Sequence, residues 1–174
     1  MRRLALAAET VLHKIVYLGG YLSSWLVPIM MVLVFTEVVA RYGFRRPLMV
    51  ADEFSAYMLV TIAYLGTAMT WKERGHVRIT ALVDILPTRA AAWLRLITLT
   101  IALVMAIVVT RSTYMYLMRS FQVHMRSSTW LNFPLQGPQL TILIGFILLS
   151  LLLLLEIIHN IASIRAGQYK EATK

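Results

Sequence analysis

Four apolar stretches, separated by charged or turn-rich segments, set the pattern of the chain. Ile15 to Thr36 and Phe54 to Trp71 carry no charged residue. Leu96 to Thr110 carries none between Arg95 and Arg111, and Leu140 to Leu155 is dominated by Leu and Ile. A membrane span needs about 20 mostly apolar residues, so the shorter stretches must borrow their flanks. The third does so because Arg95 and Arg111 lie roughly 24 Å apart along a helix and can snorkel toward opposite headgroup layers. The pattern therefore predicts spans at about 15–37, 50–71, 91–118 and 138–158. Ahead of the first, Leu4, Ala8, Val11, Leu12 and Ile15 repeat at helical spacing, which predicts a short interfacial helix.

Composition strengthens this reading. A chain of 174 residues that is 59% hydrophobic, with a mean hydropathy of +0.72, is too apolar for a soluble domain to cover its surface with polar groups. No joining segment has the length or polarity of a second domain. The expected architecture is all-α: one integral membrane four-helix domain over residues 1–174, with short interfacial helices. The basic start "MRRLALAAETVLHK" is interrupted by Glu9 and Lys14 and lacks a cleavage pattern, so it is expected to stay on the chain. The absence of cysteine excludes disulfides and thiolate metal sites.

The net charge of +9 would suggest nucleic acid in a soluble protein. Here it is spread over membrane-flanking loops, where anionic lipid and topology control explain it, and no nucleic-acid partner is expected. One side holds Arg2, Arg3, Lys14, Lys72, Arg74, Arg78, Arg89, Arg165, Lys170 and Lys174; the other holds Arg41, Arg45, Arg46, Arg119 and Arg126. Ten cations against five place both termini in the cytoplasm.

Candidate chemistry gathers at span ends. Pro28 frees the carbonyl of Ser24, which Ser23, Ser24 or a neighbouring helix can help satisfy, and a kink is expected there. Glu37 and Arg41 stand in the favourable order for an ion pair one turn apart. Pro47 can begin the next helix, placing Asp52 and Glu53 where the helix dipole favours carboxylates. Arg45 and Arg46 then sit at the headgroups, and the two acids are available to them or to a partner. Ala56, Ala63, Thr67 and Thr70, with Gly66 at their edge, form a stripe of small residues suited to packing against another helix. In "KERGHVRITALVDILPTR", Gly75 can end the second helix, Leu82, Ile85 and Leu86 suit an interfacial segment, and His76 lacks companions at metal spacing. The loop "RSFQVHMRSSTWLNFPLQGPQ" is aromatic and turn-rich, and Glu156 is expected to be solvated or paired with a cation. No Walker loop, nucleophile elbow or zinc motif occurs, so no enzyme activity, cofactor or metal is expected.

Within residues 37–87 stand Arg41, Tyr42, Phe44, Pro47 and Glu53, then Leu65 and Gly66, then Arg74, Gly75, His76 and Asp84 before a Leu-Pro ending. In this order and spacing they resemble the small, DctQ-type membrane subunit of tripartite ATP-independent periplasmic (TRAP) transporters, and the four-span layout and length match over nearly the whole chain. The resemblance implies a multi-pass protein of a bacterial inner membrane that binds a larger, multi-span, sodium-coupled subunit. It further implies that a periplasmic binding protein delivers the substrate, commonly an organic acid, and that the small subunit is a scaffold. Arg41, Arg45, Pro47, Asp52, Glu53, Gly66, Arg74, Gly75 and His76 are then candidates for a structural motif or partner interface. The rival from the residues alone is a self-contained proton-coupled exporter acting as a homo-oligomer, with Glu37 as its coupling acid. A membrane enzyme subunit is a third.

Overall fold

In lipid only a helix satisfies every backbone N–H and C=O within one segment, so long apolar stretches without breakers fold as helices. The computed structural model describes residues 2–73, 87–129 and 131–166, with side chains from residue 9 onward. Among these residues are four helices: α1 (Arg2–Gly43), α2 (Ala51–Lys72), α3 (Thr88–Val123) and α4 (Gln136–Arg165). Among the described residues α1, from Glu9, α3 and α4 are long and apolar enough to cross a membrane. The 22-residue α2 is long enough, but Thr, Tyr and Gly dilute its apolar stretch and it is not among these candidates.

The N-terminal segment is not a separate interfacial helix. Nothing between Leu4 and Ile15 caps or breaks the chain, and stopping there would leave four carbonyls unpaired. α1 therefore runs without interruption for 42 residues, about 63 Å. It also continues through Pro28, with Ser23 and Ser24 donating to the carbonyls of Gly19 (2.9 Å) and Gly20 (3.0 Å). Both hydroxyls thus bond one turn back and leave the carbonyl that Pro28 frees to other donors. The interfacial segment expected before Pro87 lies outside the described residues.

The helices form an open row in the order α1, α2, α4, α3. α2 packs along α1 and α4, and α4 packs along α2 and α3, while α1 meets α4 only marginally. Two apolar clusters hold the row together. Leu12 and Val16 of α1 join Ala68 of α2 and Leu148 and Leu152 of α4. Leu99 and Ala106 of α3 join Leu153 of α4. Trp71 packs against both clusters.

Two backbones come close together at Gly145 of α4, where an added Cβ would run into the carbonyl group of Tyr64 on α2. Gly66 plays no such part: the nearest atom to a Cβ built there is Ser23 Oγ at 4.0 Å. The small-residue stripe faces outward: Ala56, Ala63 and Thr70 are exposed, and none of the described helices covers them. The inward face of α2 is carried by Leu65 and Ala68, which are buried, and by Tyr64 and Trp71.

Candidate functional site

The α1–α2 linker and the α3–α4 loop meet at one end of the row, and Glu37, Arg41, Asp52 and Glu53 gather there. α1 is stopped by Arg45, whose φ of 54° turns the chain so that the Arg46 N–H reaches the Ala40 carbonyl at 3.0 Å. Glu37 sits under this turn, its side chain 5% exposed. Arg41 donates to Glu37 Oε1 from Nε (3.1 Å) and Nη2 (2.8 Å), and the Leu48 N–H donates to Oε2 (3.0 Å). The expected ion pair is present, and the second carboxylate oxygen additionally staples the linker to α1. With three donors fixed on it, Glu37 is a structural strut.

Pro47 lies in the linker and does not begin α2, which starts at Ala51 after Met49 turns with a φ of 55°. The residue before Ala51 offers no side-chain cap, so the acids of the first turn complement the helix N-terminus. Asp52 is exposed and reaches Arg41 Nη2 at 3.5 Å. Arg45 and Arg46 are exposed and form no ion pair with Asp52 or Glu53.

Glu53 is buried and turns toward the α3–α4 loop. It accepts hydrogen bonds from the hydroxyls of Tyr57 and Thr129. Thr129 is positioned by Ser127, whose Oγ is 2.8 Å from Thr129 Oγ1 and accepts from the Thr129 N–H at 3.3 Å. The loop closes on itself through Ser127 N–H to Phe133 O (2.8 Å) and Leu135 N–H to Met125 O (3.3 Å). Its Phe133 ring then stacks at 5.4 Å on Phe54 and 5.5 Å on Tyr57. The aromatic loop thus spends Phe133 on its own α2, and Glu53 is the polar centre of that joint.

A second polar joint lies at the other end of the row. Glu156 of α4 accepts from Trp71 Nε1 of α2 (2.8 Å) and pairs with Arg95 of α3 (2.5 Å), so three helices meet on one carboxylate. Arg95 therefore points into the row, where the sequence suggested it would snorkel outward. Nearby, Tyr17 donates to Glu73 (3.0 Å) and Lys72 Nζ lies 3.3 Å from the centre of the Tyr17 ring. Glu156 thus has a cation for a partner, one of the two outcomes expected for it, and what sequence reasoning missed, the identity of that cation, had a signal. Arg95 and Glu156 each stand a few residues inside antiparallel spans at the same end, a depth that pairs them.

Arg74, Gly75 and His76 lie outside the described residues. Among those described, no three His, Asp or Glu side chains are grouped to hold a metal ion. The six described acids all have partners within the chain: Glu9 with His13, Glu37 and Asp52 with Arg41, Glu53 with Tyr57 and Thr129, Glu73 with Tyr17, and Glu156 with Arg95 and Trp71.

Residues 30–163 match the family model described as tripartite ATP-independent periplasmic transporters, DctQ component. The chain is also 30% identical, over 143 residues, to a Haemophilus influenzae protein assigned by name to the TRAP transporter small permeases. That similarity covers 82% of this chain and 86% of its relative. The region matched by the family takes in the Glu37 linker, the Glu53 joint and the Glu156 joint.

Proposed function

The chain belongs to the DctQ family of TRAP transporter components, and from that premise we propose that it scaffolds the large, sodium-coupled transport subunit of an organic-acid uptake system. On this reading a periplasmic binding protein delivers the substrate to the larger subunit. All four helices cross a bacterial inner membrane, with both termini in the cytoplasm. The Glu37 linker and the α3–α4 loop then face the periplasm.

The observation that carries the reading is that every described acid is held by a partner at an end of the open row. A self-contained carrier needs an ionisable group free to change state within the membrane. Glu37, the coupling acid of the exporter alternative, is fixed by Arg41 and the Leu48 amide. The open row instead suits a static support. The outward Ala56, Ala63 and Thr70 let a helix of the larger subunit approach closely.

The test is to tag the C-terminus, solubilise the membrane in mild detergent and identify by mass spectrometry what co-purifies. A large multi-span transporter subunit in stoichiometric amount is expected. A pure homo-oligomer that moves protons and substrate when reconstituted alone would overturn the scaffold reading.

A further inference from the structure

Between α3 and α4 runs a groove of about 370 Å³, within the ~300–1,000 Å³ range of small-molecule sites. Ile107 and Leu151 line its deeper end, Ile147 lies between, and Arg111 and Tyr114 stand with Leu143 at the end nearer the α3–α4 loop. Thr110 and Ser150 also line it, but their hydroxyls donate to the Ala106 and Phe146 carbonyls of their own helices, each at 2.7 Å. The groove is therefore apolar along its whole length: Arg111 lines it with its aliphatic stem, and its guanidinium, on an exposed residue, stands beside the groove rather than in its lining.

Arg111 has no hydrogen bond or ion pair among the described residues, and the helices that flank it cannot supply an anion. α3 contains no acid, and the single acid of α4, Glu156, is engaged by Arg95 at the far end. Arg95 and Arg111 are separated by roughly 24 Å of helix, against a hydrocarbon core of about 30 Å. Arg111 therefore lies just below the headgroup layer while the apolar part of the groove extends toward the bilayer centre. An anion joined to a hydrocarbon tail, with the same head-to-tail direction, matches this layout.

We propose that the α3–α4 groove binds one phospholipid, its phosphate at Arg111 and an acyl chain along Ile107, Ile147 and Leu151. The site does not depend on the transporter role, because it is built from this chain alone.

The test uses the full-length chain, delipidated in detergent and titrated with phosphatidylglycerol, with bound molecules counted by native mass spectrometry. One phosphatidylglycerol per chain is expected. Arg111→Gln weakens binding about tenfold or more, the effect of losing a charge-assisted hydrogen bond. Ile147→Trp, which fills the groove, weakens it similarly, and Arg111→Lys retains most of it. Should Arg111→Gln fail to fold, Arg111→Lys and Ile147→Trp still decide the matter. Unchanged binding in Ile147→Trp would overturn the proposal, as would displacement of the lipid by millimolar inorganic phosphate, which would mark a phosphate site. Arg111→Gln that keeps its lipid but loses a co-purifying protein would assign the guanidinium to a partner's carboxylate and likewise overturn it.

Discussion

Adding one methyl group at Gly145 perturbs the join between α2 and α4 without touching any charge. A Cβ there meets the Tyr64 carbonyl oxygen and lies 2.7 Å from the carbonyl carbon and 3.2 Å from Tyr64 Cβ. Carbon atoms rest at about 3.5–4.0 Å, so α2 and α4 must part by roughly 1 Å. The obstacle is backbone, which cannot swing aside as a side chain would. Overpacking of this kind costs about 1–3 kcal/mol, offset by at most about 1 kcal/mol of helix propensity gained in replacing glycine. Gly145→Ala is therefore expected to destabilise the chain by up to about 2 kcal/mol. Gly66→Ala is the matched control: its Cβ comes no nearer than 4.0 Å to Ser23 Oγ, so it is expected to be neutral or stabilising by up to about 1 kcal/mol. Reversible unfolding in mixed micelles, at rising SDS fraction and followed by circular dichroism, measures both. If Gly145→Ala proves as stable as Gly66→Ala, the close backbone contact is not a feature of the folded chain.

Glu37→Ala removes the acceptor of the Leu48 N–H, a hydrogen bond to a charged group worth about 1.5–3 kcal/mol; hydrogen exchange should show the 44–50 linker exchanging faster, and unchanged protection would refute the strut. Glu53→Gln is expected to lower the yield of the complex more than it alters substrate preference, with Thr129→Val acting in the same direction; full yield with altered selectivity would count against a structural role. In a chain with no native cysteine, Ser127→Cys in intact spheroplasts should react with an impermeant thiol reagent and Lys170→Cys should not. The reverse labelling would invert the proposed topology.

Helix number and the Glu37–Arg41 pair were legible because both depend on spacing within one segment: apolar runs for the first, a single turn for the second. Partners far apart in the chain were not. Glu53 finds Thr129 across 76 residues and Glu156 finds Arg95 across 61, and no local pattern encodes which loop or helix lies opposite. The small stripe on α2 was legible as a packing face but its neighbour was not, because periodicity reveals a face without naming what lies against it. Gly66 drew attention over Gly145 for a related reason. A glycine's importance depends on whose backbone passes it, which is a property of the assembled row. The length of α1 was missed because a change from polar to apolar composition was taken as a boundary, although a helix needs a breaker or a cap to end.

The order α1, α2, α4, α3 has a consequence for synthesis. The first two helices are neighbours in the chain and in space, so they can pair as soon as both have left the ribosome. α3 emerges next, yet the helix it packs along is α4, which is still being made. Until translation is nearly finished α3 has no seat, and α4 must enter the gap beside α2 as a keystone, bringing Gly145 to Tyr64 and Glu156 to Trp71 and Arg95 in one step. A chain truncated before residue 136 would hold a paired hairpin and one unanchored helix, a natural substrate for membrane proteases.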